Sequence, residues 1–208
     1  MQRLLLITLF VFVVVFINIK ITRTEEAEVT ESTQAVVIGN IVNEEEVVNE
    51  VDVVSEEPVV VINCKTYEVP SNKGFKSYMD YRAITSTSSY QFQLQKLYAS
   101  TNDCGIRVVN DRYCIAVGTH FGAEIGQYLD LILENGTVIP CVLSDIKADI
   151  HTDENNIVTL HNGCVSEFIV DTSSLYNMSK LMGDVSYCYE EWRSPVVQVV
   201  VYEQNVFN

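Results

Sequence analysis

Residues 128–145, YLDLILENGTVIPCVLSD, read as a β-hairpin. Leu129, Leu131 and Leu133 fall on every second position, the period that places side chains on one face of a strand. Asn135-Gly136 favours the left-handed backbone of a tight turn, and Val138 to Leu143 supply the returning strand. The run then ends abruptly in polar residues, because VLSDIKADIHTD (142–153) sets three aspartates, a lysine and a histidine directly after it.

The same signals recur on either side. GIRVVNDRYCIAVG (105–118) is two apolar runs around Asn110-Asp111 and predicts a second hairpin. Further strands are expected at Val165 to Val170 and Pro195 to Tyr202. Ser174 to Met182 has the spacing of a short helix, closed by Gly183 as a favourable residue just past its end. Ser89 to Ala99 fits strand and helix equally. Many short strands with one or two short helices, between about residues 58 and 208, imply a mainly β domain, either a small closed barrel or a sandwich. No fixed-period repeat is present, which excludes solenoids and propellers.

The first quarter of the chain has a different character. Leu4 to Ile19 is almost purely aliphatic and aromatic, with Arg3 before it and Lys20 and Arg23 after it. It reads as a signal peptide or an N-terminal membrane anchor within residues 1–23. The anchor is favoured because no small-residue cleavage site follows. Residues 24–57 carry acids without Lys or Arg and alternate short valine pairs with glutamate clusters, the pattern of an extended, mostly disordered spacer. The domain beyond it is therefore expected on the outer side of the cell membrane or secreted.

The net charge of −15 over 208 residues leaves no basic footprint for a phosphate backbone, so nucleic acid is not an expected partner. The six cysteines permit disulfides in an exported chain, in more pairings than sequence can decide between, and buried thiols are the plain alternative. No CxxC pair is present and the spacings are wide, which argues against a cysteine-held metal. Nothing in the sequence calls for a cofactor. The nucleophile elbow, the phosphate loop and the dinucleotide fingerprint are all missing.

Chemistry is therefore sought among the acids. Asp145 falls where the return strand leaves the sheet, and Lys147, Asp149, His151 and Asp153 come after it. If the segment stays extended, these alternating residues share one side. Three readings stand: a solvated loop, a hard-metal loop lacking the EF-hand spacing, or an acid–base site in which burial keeps one carboxyl protonated. Glu167 lies inside the apolar strand of NGCVSEFIVD (162–171). It must face water or find a partner there, either as an ordinary outward-facing residue or as a second carboxyl opposite Asp145. His120 and His161 read as turn residues, and Asp171 as the cap of the turn into DTSSL.

Taken in order, YCIAVG (113–118), ENGTVIPCVLSD (134–145), NGCVSEFIVD (162–171), MGDVSY (182–187) and a last valine-rich strand resemble the three-aspartate (3D) domain. That family is a double-psi β-barrel of bacterial cell-wall proteins, related to the barrels of lytic transglycosylases, of rare lipoprotein A and of expansin-like proteins. The likeness covers about residues 78–202 and is nearest to exported proteins of Gram-positive bacteria. It implies a six-stranded double-psi barrel whose mouth aspartates cleave peptidoglycan glycan without water, leaving a 1,6-anhydro sugar. The family's central aspartate, in its D-T-G-G motif, falls on Asp145, and the third, in R-I-D-V-F, falls on Glu167. The first, in A-V-D-P, falls on Gly118, and Ile146-Lys147-Ala148 replaces the residues after the central aspartate. The resemblance thus makes Asp145 and Glu167 the candidate catalytic pair, with Lys147, Asp149 and His151 binding substrate. Peptidoglycan glycan strands are the expected partner, with the membrane reached through residues 4–19, and a monomer is expected. The rival reading is a non-catalytic module that binds the cell wall or a protein partner.

Overall fold

The computed structural model describes residues 33–36 and 62–208, and the expectations for residues 1–23 and for most of the spacer lie outside them. The described chain is mainly β. Its strands are β1 (Thr33–Val36), β2 (Ile62–Glu68), β3 (Ser77–Asp80), β4 (Ser100–Thr101), β5 (Arg107–Val109), β6 (Arg112–Val117), β7 (Gln127–Leu133), β8 (Val138–Ile146), β9 (Ser166–Val170) and β10 (Val196–Asn205). Two short helices, α1 (Tyr90–Gln93) and α2 (Asn177–Met182), and several single 3₁₀ turns connect them.

Both predicted hairpins form for local reasons. Asn110 and Asp111 take φ of 49° and 61°, so the two-residue β5–β6 turn has left-handed backbone at both positions. That twist matches the flanking strands. Gly136, at φ 84°, turns β7 into β8, and Leu129, Leu131 and Leu133 are all buried. α2 ends at Gly183 in the left-handed region, φ 69°. The ambiguous segment 89–99 is helical: the Ser89 side chain accepts from the Phe92 N–H at 3.2 Å to cap α1, and Leu94–Tyr98 continues as a π-helical turn.

The strand order is β1-β2-β10-β7-β8-β6-β5-β4, with β9 also on β6 and β3 on β9. Most neighbours are antiparallel, but β6/β8 and β3/β9 run parallel. The expected closed six-stranded ladder is not what the hydrogen bonds trace: among the described residues ten strands pair and the path stays open. The reason lies at its two ends. One edge of β6 is divided between β5 and β9, and on the far side β2 and β1 extend the sheet beyond β10. Thr33–Val36, expected within a disordered spacer, pairs antiparallel with β2. An open strand edge offers unpaired backbone groups to any nearby extended segment.

Strand β6 is the structural centre, because its CIAV run is covered on both faces. Ile115 and Val117 join a large cluster with Leu131, Ile139, Leu143, Phe168, Val199 and Trp192. Cys114 and Ala116 face a smaller one with Leu94, Val109, Val142 and Ile169. Each fully buried aliphatic or Phe side chain contributes about 1.5–3 kcal/mol. Trp192 closes the large cluster with its ring 4.8 Å from Tyr113 and 5.3 Å from Phe168.

One buried charge needs its own account. Lys76 is fully buried, and its Nζ donates to the carbonyls of Gly74 at 3.0 Å, Trp192 at 2.5 Å and Ser194 at 2.9 Å. Burial pushes its pKa down to about 8, with Asp184 the strongest opposing influence. The ammonium ties the segment before β3 to the segment before β10. Among the described residues no helix is long and apolar enough to cross a membrane.

Candidate active site

A one-residue irregularity in β8 builds the site. Ile115 pairs with Leu143, but the next residue of β6, Ala116, pairs with Asp145, so Ser144 is an extra residue in the β8 strand. An inserted residue moves the rest of its strand to the opposite face. Asp145 therefore leaves the side of Cys141 and Leu143 and joins that of Val142 and Ala116. On the other edge of β6, Ala116 pairs with Glu167 of β9. The two carboxyl-bearing residues thus flank one alanine, whose small side chain leaves room between them.

Both line a groove of about 620 Å³ whose floor includes Ala116. Lys147 and His151 line it too, while Thr159, Leu160, His161 and Asn162 form a further part of the wall. Sequence reasoning missed the 159–162 segment except for reading His161 as a turn residue. The turn is visible in Thr159-x-x-Asn162: the Thr159 hydroxyl and the Asn162 side-chain oxygen both accept from the Cys164 N–H, at 3.0 Å and 3.1 Å.

The carboxyls differ in surroundings. Burial pushes the Asp145 carboxyl above its usual range. The Ile146 N–H and a Gln91 side-chain hydrogen bond oppose that rise, the Glu167 carboxylate adds to it, and the Lys147 ammonium opposes it. The Ile146 N–H donates to Asp145 Oδ1 at 2.9 Å. Glu167 instead receives the Lys147 ammonium on Oε2 at 2.8 Å, and Ser77 Oγ donates to its other oxygen at 3.4 Å. The Lys147 side chain is 11% exposed and that of Glu167 23%, so the ion pair is largely sheltered. Lys147 is itself fixed by its backbone N–H, which donates to Val117 O at 2.9 Å.

Beyond Lys147 the chain departs from simple alternation, because Asp149–His151 is a 3₁₀ turn. The five alternating residues consequently do not share one side. Asp149 accepts from Thr119 Oγ1 at 2.7 Å and is not part of the groove lining. Asp153 accepts from the N–H groups of Ile157 at 2.7 Å and Val158 at 2.9 Å and so caps a tight turn. Among the described residues no three His, Cys, Asp or Glu side chains gather as metal ligands. Two strongly exposed apolar side chains, Ile150 at 80% and Leu160 at 69%, rim the groove, joined by the Leu160 N–H bond to His151 O at 3.0 Å.

Gly118, where the resemblance places a lost aspartate, has no room for a side chain. A Cβ built there would lie 1.8 Å from the Asn156 carbonyl oxygen. The loop after β8 therefore occupies the space that a first acidic side chain would need.

Comparison of the chain with family models, with curated proteins and with solved structures finds no match.

Proposed function

We propose that this chain is an exported cell-envelope protein that binds peptidoglycan glycan in the groove between β8 and β9 and cleaves it as a lytic transglycosylase does. The observation that carries the reading is the placing of Asp145 and Glu167 on either side of Ala116 in one open groove. Their surroundings divide the labour: one carboxyl is desolvated, the other faces an ammonium. Carboxyl pairs with contrasting environments are the usual basis of an acid–base assignment.

Asp145, protonated, gives its proton to the glycosidic oxygen as the bond from the anomeric carbon to that oxygen breaks. The resulting carboxylate then takes the proton from the sugar's own 6-hydroxyl as that oxygen closes on the anomeric carbon. A 1,6-anhydro sugar forms and Asp145 regains its proton, so no water is consumed and one acid serves both steps. Glu167 faces the positive charge that develops on the sugar. Lys147 pairs with Glu167 and opposes the rise at Asp145, and His151 with the Ile150–Leu160 rim contacts the chain of sugars. The double-psi kinship belongs to this proposal: it rests on the sequence motifs, and the mixed ladder with its parallel β6/β8 and β3/β9 pairs is compatible with it. The outer-surface location and the tether through residues 4–19 belong to it as well.

A second reading, a glycan- or partner-binding module without catalysis, is favoured by two observations. The Asn156 carbonyl closes off position 118, and Lys147 already engages Glu167.

The test is to incubate the full chain with purified cell walls and look for soluble anhydro-muropeptides by mass spectrometry, then repeat with Asp145→Asn. Release that depends on Asp145 supports cleavage. Co-sedimentation without release supports the binding module, and neither release nor binding removes both.

A further inference from the structure

Arg107 of β5 is a buried charge without a counter-ion. It is only 9% exposed, and its guanidinium bonds to neutral groups: Nε donates to Gln95 Oε1 at 3.0 Å, Nη1 to Thr101 Oγ1 at 2.8 Å, and Nη2 to the carbonyls of Gln95 at 2.8 Å and Ala99 at 2.7 Å. Those bonds leave one N–H of the guanidinium over. Among the described residues no carboxylate pairs with it.

The local fold prepares this arrangement. In the π-helical turn Leu94–Tyr98 the Ala99 N–H donates to Leu94 O at 3.0 Å, whereas an α-helix would send it to Gln95 O. The Gln95 carbonyl is thereby released to accept from Arg107. The Tyr81 ring lies 4.6 Å from Arg107 Cζ and adds a cation–π contact. Neutral carbonyls and a ring face offset only part of the cost of taking a guanidinium out of water, so such a group favours an anion nearby.

A space for one is present. Arg107 lines a cavity of about 510 Å³ between the 3₁₀ turn Tyr81–Ala83, α1 and the π-helical turn. That volume falls within the range of small-molecule sites, roughly 300–1,000 Å³. Tyr81, Ile84, Phe92 and Ala99 supply apolar wall, and Arg82 and Lys96 are the other charged residues lining it. Among the described residues no acid does so, in a chain whose net charge is −15. Arg82 is already engaged by Asp80 at 2.7 Å and Asp171 at 2.8 Å. Lys96 is exposed and has no hydrogen-bond or ion-pair partner among the described residues. The charge left to the cavity is therefore that of Arg107 and Lys96, set against apolar walls.

We propose that this cavity binds a small organic carboxylate with an aromatic or branched apolar body, the carboxylate toward Arg107 and Lys96 and the body against Tyr81, Ile84 and Phe92. The apolar share of the walls selects an organic anion over inorganic phosphate. The site is independent of the glycan reading, since no residue lines both this cavity and the groove of Asp145.

The test follows binding to the full chain by NMR, with phenylacetate as the probe and with phenylacetamide, its uncharged counterpart, and inorganic phosphate as controls. Phenylacetate is expected to shift the Ile84 and Ala99 methyl signals and the Arg107 Nε–H signal saturably while leaving Leu160 of the groove unmoved. It should bind at least about tenfold more tightly than phenylacetamide, the loss expected for one charge-assisted hydrogen bond. Phosphate should bind more weakly than phenylacetate for want of an apolar body. Arg107→Gln should abolish binding, but it also removes hydrogen bonds that hold the π-helical turn. Lys96→Gln touches none of them, and should weaken phenylacetate binding severalfold at unchanged Tm. The proposal is overturned by the absence of saturable shifts at millimolar phenylacetate, by equal binding of the amide, by phosphate binding as tightly as phenylacetate, or by an affinity that Lys96→Gln does not change.

Discussion

The carbonyl oxygen of Asn156 occupies the position that a Cβ of residue 118 would need, 1.8 Å from it. Gly118 has ordinary backbone, φ −70° and ψ 167°, so glycine is required there by space and not by torsion. Asn156 is itself at φ 56° and is held by Thr152 Oγ1, which donates to its Oδ1 at 2.7 Å, so the loop has little freedom to retreat. Gly118→Ala is expected to cost about 3 kcal/mol, the upper end of over-packing penalties. Urea unfolding measures it. An Asp at 118 should fare no better and should not raise glycan release, since any side chain there meets the same carbonyl.

Asp145 gives a pH dependence whose sign follows from its burial. Its folded pKa lies above the unfolded value near 3.8, so between those two values the folded chain binds more protons than the unfolded one. The contribution of this group to stability therefore falls as pH rises through that window, and the charged form is a cost at neutral pH. Asp145→Asn removes the charge but keeps an oxygen for the Ile146 N–H. The variant should match the parent at acid pH, where the carboxyl is protonated in both states, and exceed it at pH 7. Denaturant titrations at several pH values check it, and an advantage that stays constant with pH would contradict the assignment.

Only local structure could be read from sequence. The hairpins at Asn110-Asp111 and Asn135-Gly136 and the helix stop at Gly183 follow from the backbone that those residues favour, which needs no tertiary information. The segment 89–99 alternates like a strand, and only the Ser89 cap and the burial of Leu94 make it helical. Asp145 and Glu167 could be marked as acids next to apolar strands, but their meeting at Ala116 depends on the extra Ser144. No pattern in VLSD announces that insertion. Asp149 and Asp153 escape the expected shared face for the opposite reason: their alternation presumes extended backbone, and the 3₁₀ turn at Asp149–His151 ends it. The 159–162 wall carries no charge cluster to draw attention.

Lys76, fully buried, donates three hydrogen bonds to main-chain carbonyls. Lys76→Met keeps the volume but leaves the Gly74, Trp192 and Ser194 carbonyls short of a donor. The expected loss is about 3–5 kcal/mol, in the range seen when one partner of a buried charged network is removed. Because Trp192 packs on Tyr113 and Phe168, the loss should appear first as Trp fluorescence changes ahead of the main unfolding transition. A coincident single transition at unchanged midpoint would show that the ammonium is dispensable.

The Lys147–Glu167 pair couples stability to the titration of Asp145. The pair is largely sheltered, so a double-mutant cycle of Lys147→Met and Glu167→Gln should give a coupling of about 1–2 kcal/mol, between the values for exposed and fully buried pairs. The ammonium also draws the Asp145 pKa down while the Glu167 carboxylate draws it up. Lys147→Met alone should therefore move the Asp145 titration to higher pH, and Glu167→Gln alone should move it lower. Carboxyl carbon NMR of Asp145 reads both shifts directly and requires no assumption about substrate. If glycan is cleaved with Asp145 as the acid, the alkaline limb of the pH–rate profile must move in the same two directions. Shifts in the NMR titration without matching shifts in rate would leave Asp145 a structural neighbour of the groove and assign the acid elsewhere.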